Sequence, residues 1–225
     1  MQLDAYSQQR SCEALEAPRF PILTLDDLQS GISLRHGFNI DWLIPGESLV
    51  SILWKFACAN GLPGEVLMRL MCPGVDPLAG VIPLRSAVNL KGLRRLLCLP
   101  ENVLRISLLD NLPRARYHAA FRYCRQCAAH GYHSVLHQLA EEDRCAAHRQ
   151  ELRMQCPQCH RRSPFTVNSS VIEAPFRCIW CRSHFCYGLL PVRSTRQAMR
   201  RQDRAAIQER VLLRLGTNGS GVSKR

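Results

Sequence analysis

Seven cysteines and one histidine fall in four close pairs: Cys124 with Cys127, Cys145 with His148, Cys156 with Cys159, and Cys178 with Cys181. Each pair is separated by two residues, the spacing at which a tight turn aims two donor atoms at one point. Seventeen residues lie between Cys127 and Cys145, and eighteen between Cys159 and Cys178. Two such turns close one tetrahedral zinc site, and the second spacing matches the zinc-ribbon pattern of two knuckles on a β-hairpin. A single C-x2-C would be a weak signal; four pairs in register are a strong one. The expected ligands are Cys124, Cys127, Cys145 and His148 in the first site, and Cys156, Cys159, Cys178 and Cys181 in the second, holding two zinc ions.

Alternatives remain at the ligand level. His160 follows Cys159 directly, and His184 and Cys186 lie just past Cys181, where either of these two could stand in at the second site. Cys145 and His148 could exchange partners between sites, although pairing in sequence order is the simpler closure. His118, His130, His133 and His137 flank the first set and read as surface residues or braces behind the ligands. Cys58 and Cys98 sit among apolar neighbours and read as small core residues.

Four protein donors per site leave no open position, so both ions are expected to be structural rather than catalytic. The sequence has no HExxH, no HxE followed by PCxxC, and no Walker A loop. Nothing resembles a carboxylate triad for two-metal phosphodiester chemistry. An enzyme is therefore not expected. Residues 1–10 are polar and carry Asp4, with no apolar stretch of a secretory signal, so the expected compartment is the cytoplasm. There disulfides are disfavoured and clustered cysteines bind metal. No apolar run approaches the ~20 residues that span a bilayer.

The elements that must position these pairs differ between the two halves. Residues 121–186 are poor in Leu, Ile and Val. Metal binding there substitutes for a hydrophobic core and becomes folding free energy, of order 10 kcal/mol per site. Upstream, Leu49, Ile52, Leu53 and Phe56 recur at helical spacing, with a polar start at Gly46-Glu47-Ser48 and a stop at Gly61. Pro63 opens a second helix with Val66, Leu67, Leu70 and Met71 on one face. After a turn-rich loop over residues 74–85, Val88, Leu90, Leu93, Leu96 and Leu97 give a third face. Leu99-Pro100 makes a corner, and Val103, Leu104, Ile106 and Leu108 continue it. Two helices about such a corner are compatible with a helix-turn-helix shape. The fold class expected is thus a mainly α, helix-turn-helix-like domain at 41–112 and a small α+β zinc-ribbon region at 113–191. An extension at 1–40 precedes them, in which residues 20–25 alternate weakly as a short extended piece. Residues 192–225 follow, reading as a basic helix over 195–215 and a Gly/Ser tail.

Charge is distributed unevenly. Formal net charge is +12 over 225 residues. Residues 1–120 hold 12 Lys+Arg against 11 Asp+Glu, whereas residues 121–225 hold 18 against 7. Zinc in both sites lowers the total only to about +9. A basic half beside a neutral half points to a polyanionic partner, most often nucleic acid. The candidate contacts are Arg161, Arg162, Arg196, Arg200, Arg201 and Arg204. The last helix reads either as a solvated face or as a phosphate-tracking arm that orders on contact.

The run Phe121-Arg122-Tyr123-Cys124-Arg125-Gln126-Cys127, with Gly131-Tyr132, Cys145-Ala146-Ala147-His148, Leu152 and Cys156-Pro157-Gln158-Cys159, resembles the TniQ family. So does Pro45-Gly46-Glu47-Ser48-Leu49-Val50-Ser51-Ile52-Leu53. The likeness covers roughly residues 40–190. It departs at residues 133–140, where members often carry a Trp. The resemblance implies a target-selection adaptor of transposition that does not cut DNA itself. The implied partners are an AAA+ transposition ATPase, and either target DNA held mainly through phosphates or an RNA-guided target complex; a homodimer is compatible with it. The residues alone also leave open a zinc-containing helix-turn-helix transcriptional regulator.

Overall fold

The structure is a computed structural model that describes residues 38–108, 113–186 and 199–215. The extended piece at 20–25, the contact residue Arg196 and the tail after 215 lie outside them, as does the start of the last helix. The described residues are mainly helical.

Helix α1 spans Leu49–Asn60. Ser48 caps it by accepting the Ser51 N–H at 3.3 Å, and Gly61 ends it at φ 61°, in the left-handed region that glycine enters freely. Leu49, Ser51, Ile52, Leu53 and Phe56 are fully buried, and Val50 and Trp54 nearly so. A helix apolar on most sides sits at the centre of its fold. Helix α2, Gly64–Met71, follows Pro63. Its buried positions are Gly64, Leu67, Met68 and Met71, at i, i+3, i+4 and i+7. Val66 and Leu70, expected on the buried face, are only half-buried, because the helix turns Gly64 inward.

Helices α3, Leu90–Leu97, and α4, Glu101–Ser107, meet at a corner of three residues. Asn89 caps α3 by accepting the Gly92 N–H at 2.9 Å. Cys98 ends it at φ 52°. The expectation that Cys58 and Cys98 are core residues is wrong: both are exposed. Cys98 occupies the left-handed cap, and its thiol turns back to the Arg95 carbonyl rather than into the core. Cys58 follows the last buried turn of α1.

The Cys-rich half contains α5, Arg125–Ala129, and α6, Ser169–Ile172. The expected β-hairpins are reduced to isolated antiparallel bridges; no longer strand forms among the described residues. Three of these bridges, Arg144 with Glu151, Gln155 with Arg162 and Arg177 with His184, flank three of the four ligand pairs. The final helix, α7, is Arg201–Leu215.

The two halves share one core. Helix α6 packs on α1 and α2. The Trp54 indole donates to the Val171 carbonyl at 2.6 Å, and the Gly64 N–H to Glu173 at 3.2 Å. Val81 and Val167 exchange both backbone hydrogen bonds. A Cβ on Gly64 would meet the Ser169 carbonyl oxygen at 2.5 Å, so only glycine admits this approach. Trp54 packs on Phe176 and Phe121, Phe121 stacks on His133 and Phe185, and Phe185 stacks on Tyr123. This aromatic chain runs from α1 to the backbone beside both ligand sets.

Candidate metal centres

The structure brings the predicted ligands together in two sets, Cys124, Cys127, Cys145 and His148, and Cys156, Cys159, Cys178 and Cys181. Within each set the donor atoms lie within 4.8 Å of one another. Pairing follows sequence order. Neither set takes in His160, His184 or Cys186.

Three of the four pairs are built alike. In each, the first residue's N–H donates to the carbonyl five positions on: Cys145 to Gln150 at 2.8 Å, Cys156 to Arg161 at 2.9 Å, Cys178 to Ser183 at 2.9 Å. The residue after the second ligand returns its N–H to the first ligand's carbonyl: Arg149 to Cys145, His160 to Cys156, Arg182 to Cys178. That residue adopts a left-handed conformation every time, at φ 54°, 57° and 58°. The turn also presents N–H groups to sulfur. Gln158 donates to Cys156 Sγ and Trp180 to Cys178 Sγ, both at 3.4 Å. The fourth pair differs. Cys124 caps α5, and Cys127 lies on its first turn.

The residues present fit a metal ion. In a tetrahedral site with metal–sulfur bonds near 2.3 Å, neighbouring sulfurs stand about 3.8 Å apart, and a sulfur and a nitrogen slightly less. Cys127 and Cys145 Sγ are 3.5 Å apart, and His148 Nδ1 is 3.3–3.6 Å from all three sulfurs. In the second set Cys156 and Cys181 are 3.5 Å apart, and Cys159 and Cys178 are 3.6 Å apart. A disulfide needs about 2.05 Å. The polypeptide alone treats the second set's sulfurs unequally. The Arg161 N–H brings the Cys159 thiol down to about 7, and burial pushes Cys178 up to about 12. A bound dication favours the thiolate at every position.

Groups outside the four ligand pairs hold the first set. His148 Nε2 faces Asp203 of α7 at 3.9 Å, on the side away from the sulfurs. A carboxylate behind a ligating imidazole orients the ring and raises its basicity. Burial holds the His133 imidazole well below its ordinary value, so it is neutral. Its Nε2 donates to the Arg122 carbonyl at 2.7 Å, so Nδ1 accepts from the Ser48 hydroxyl, also at 2.7 Å. Ser51 donates to Glu47, and Glu47 pairs with Lys55 at 2.7 Å. Arg122 is itself buried, with its guanidinium on the Leu139 and Glu142 carbonyls. His133 and His137 are therefore interior residues; the surface reading fails for both.

Helix α7 is docked over the first set. Ile207 and Val211, with Met199 just before the helix, enter the cluster of buried residues that contains Cys124, Cys127 and Cys145. Arg210 and Arg214 reach the buried Glu142 at 2.9 and 2.6 Å. This agrees with the solvated-face reading for the outer side of the helix and departs from the arm that orders on contact. Its thin apolar stripe suffices because ion pairs flank it. Arg200, Arg201 and Arg204 are exposed, as are Arg161 and Arg162. No helix among the described residues is long and apolar enough to cross a membrane. Compared with models of known families and with curated proteins, the chain matches none.

Proposed function

We propose that this chain is a TniQ-like adaptor of transposition, stiffened by two structural zinc ions, that links target DNA or a target-recognition complex to an AAA+ ATPase. One observation supports it above the others. Two stretches that carry the resemblance, Pro45–Leu53 and the Gly131-Tyr132 pair, meet directly. Pro45 accepts from the Tyr132 hydroxyl; just beyond, in the stretch 133–140 where the likeness departs, the Val135 N–H donates to Gly46 and His133 bonds Ser48. The motif order thus has a physical reason: both stretches build the first metal centre's support. Sulfur-rich tetrahedral sites favour zinc, and four protein donors per ion favour scaffolding over catalysis. In this reading Arg161, Arg162, Arg200, Arg201 and Arg204 supply phosphate contacts. Arg196 belongs with them by sequence.

A regulator reading draws on α3 and α4, whose exposed Lys91, Arg94 and Arg95 face solvent. Gel shifts across a salt series separate the two. The adaptor binds duplex DNA with a steep salt slope and a small sequence preference. Replacing the five described arginines with Ala lowers that slope by about one per lost contact. It also binds the AAA+ ATPase of its transposon in a pull-down. A large specificity ratio for one operator, by the chain alone, overturns the adaptor in favour of the regulator.

A further inference from the structure

We propose that the trough between the two metal centres binds single-stranded nucleic acid, with phosphates on its arginines and one base stacked on Trp180. The proposal rests on the polyanion reading above and narrows it to unpaired strands at a named site. The trough has a volume of about 580 Å³, in the range that holds a nucleotide. Arg125, Arg153, Arg162 and His160 line it, against Glu151 as the single carboxylate. Arg153 and Arg162 make no ion pair among the described residues, so their charge is available to a ligand.

Arg162 joins the trough to an exposed aromatic ring. The Trp180 indole N–H donates to the Arg162 carbonyl at 3.3 Å, and the Arg161 guanidinium lies 5.7 Å from the centre of its ring. Trp180 is 52% exposed, whereas Trp54 is 2% exposed and fills the core. Its backbone is fixed, since it sits between ligands Cys178 and Cys181 and donates its own N–H to Cys178 Sγ. A rigid, half-exposed indole beside an arginine-lined channel is the arrangement that binds strands without reading sequence. Stacking requires a base whose face is open, which a duplex interior does not offer. An acidic peptide would meet the arginines but would gain nothing from the indole.

The test is fluorescence anisotropy of the full chain, with two metals per chain verified for each variant. The probes are labelled oligo-dT and oligo-rU of about 20 nucleotides, a duplex of the same length, and unlabelled poly-glutamate as competitor. Trp180→Ala is expected to weaken single-strand binding about tenfold, and Trp180→Phe to stay within about threefold. Duplex binding stays within about twofold for both. Arg153→Ala with Arg162→Ala lowers the single-strand salt slope and serves where a Trp180 variant loses metal. The stronger of oligo-dT and oligo-rU assigns the sugar. Unchanged single-strand affinity in Trp180→Ala, an equal loss on duplex, or displacement by poly-glutamate at matched charge overturns the proposal. Wild-type binding to duplex alone refutes this site while the adaptor reading stands. Binding to neither refutes the polyanion reading as well.

Discussion

His133 shows how much of a metal centre is built by residues that never touch the ion. Its ring joins the start of α1 to the Arg122 backbone, and it is neutral because burial, with His137 beside it, disfavours the charged form. In the unfolded chain an imidazole takes up a proton near pH 6.5. The folded chain does not, so this contribution to stability is full above pH 6.5 and is lost as pH falls below it. We expect wild-type stability to drop by about 1.4 kcal/mol per pH unit from this group alone below that point. His133→Gln, which keeps a donor and an acceptor, flattens the profile by that amount in urea melts at several pH values. Thiolate protonation acts equally on both chains, so the difference isolates His133. An identical slope in both rules out a buried neutral imidazole. The eight ligands were legible in the sequence because two-residue spacings encode them locally. Ser48 and Asp203 were not, and His133 was legible only as one of four flanking histidines, since the Ser48–His133 and Asp203–His148 contacts join residues more than 50 positions apart.

Turns and helices carry a second lesson. Ser48, Gly61 and Pro63 act as their types predict, because caps and stops are set by side-chain chemistry within a few residues. The shared form of three knuckles was hidden for the opposite reason. The position that must turn left-handed is held by Arg149, His160 and Arg182, where glycine would have announced it. A left-handed non-glycine residue costs about 1–2 kcal/mol, and glycine's extra freedom in the unfolded chain returns part of that. We therefore predict that Arg149→Gly, His160→Gly and Arg182→Gly each stabilise the metal-loaded protein by about 0.5–1 kcal/mol in chemical denaturation. Ala147→Gly, at a position with ordinary φ, lowers stability instead. Should all four changes destabilise alike, the conformational strain assigned to these turns does not exist. The hairpins expected around the pairs appear as single bridges, because each knuckle closes its own hydrogen bonds before a ladder can grow.

Across the whole molecule, the loop between Cys159 and Cys178 supplies Val167, Val171, Ile172 and Phe176 to a core that also contains α1 and α2. Periodicity within a helix cannot report such an exchange, because the partner segment lies about 100 residues away. Cys159→Ser should leave one metal per chain and raise amide exchange in α1 and α2 at least as far as in residues 156–186. Exchange that rises only around the second metal centre would show the two halves to be energetically separate. Helix α7 extends the same dependence to the surface. It rests on the first metal centre through Asp203, Ile207 and Val211, and it carries Arg200, Arg201 and Arg204 outward. A cell starved of metal would thus make a polypeptide with its formal charge nearly intact but without the foundation that lines those arginines up. Nutrient supply, rather than any change in composition, would decide how those arginines are presented.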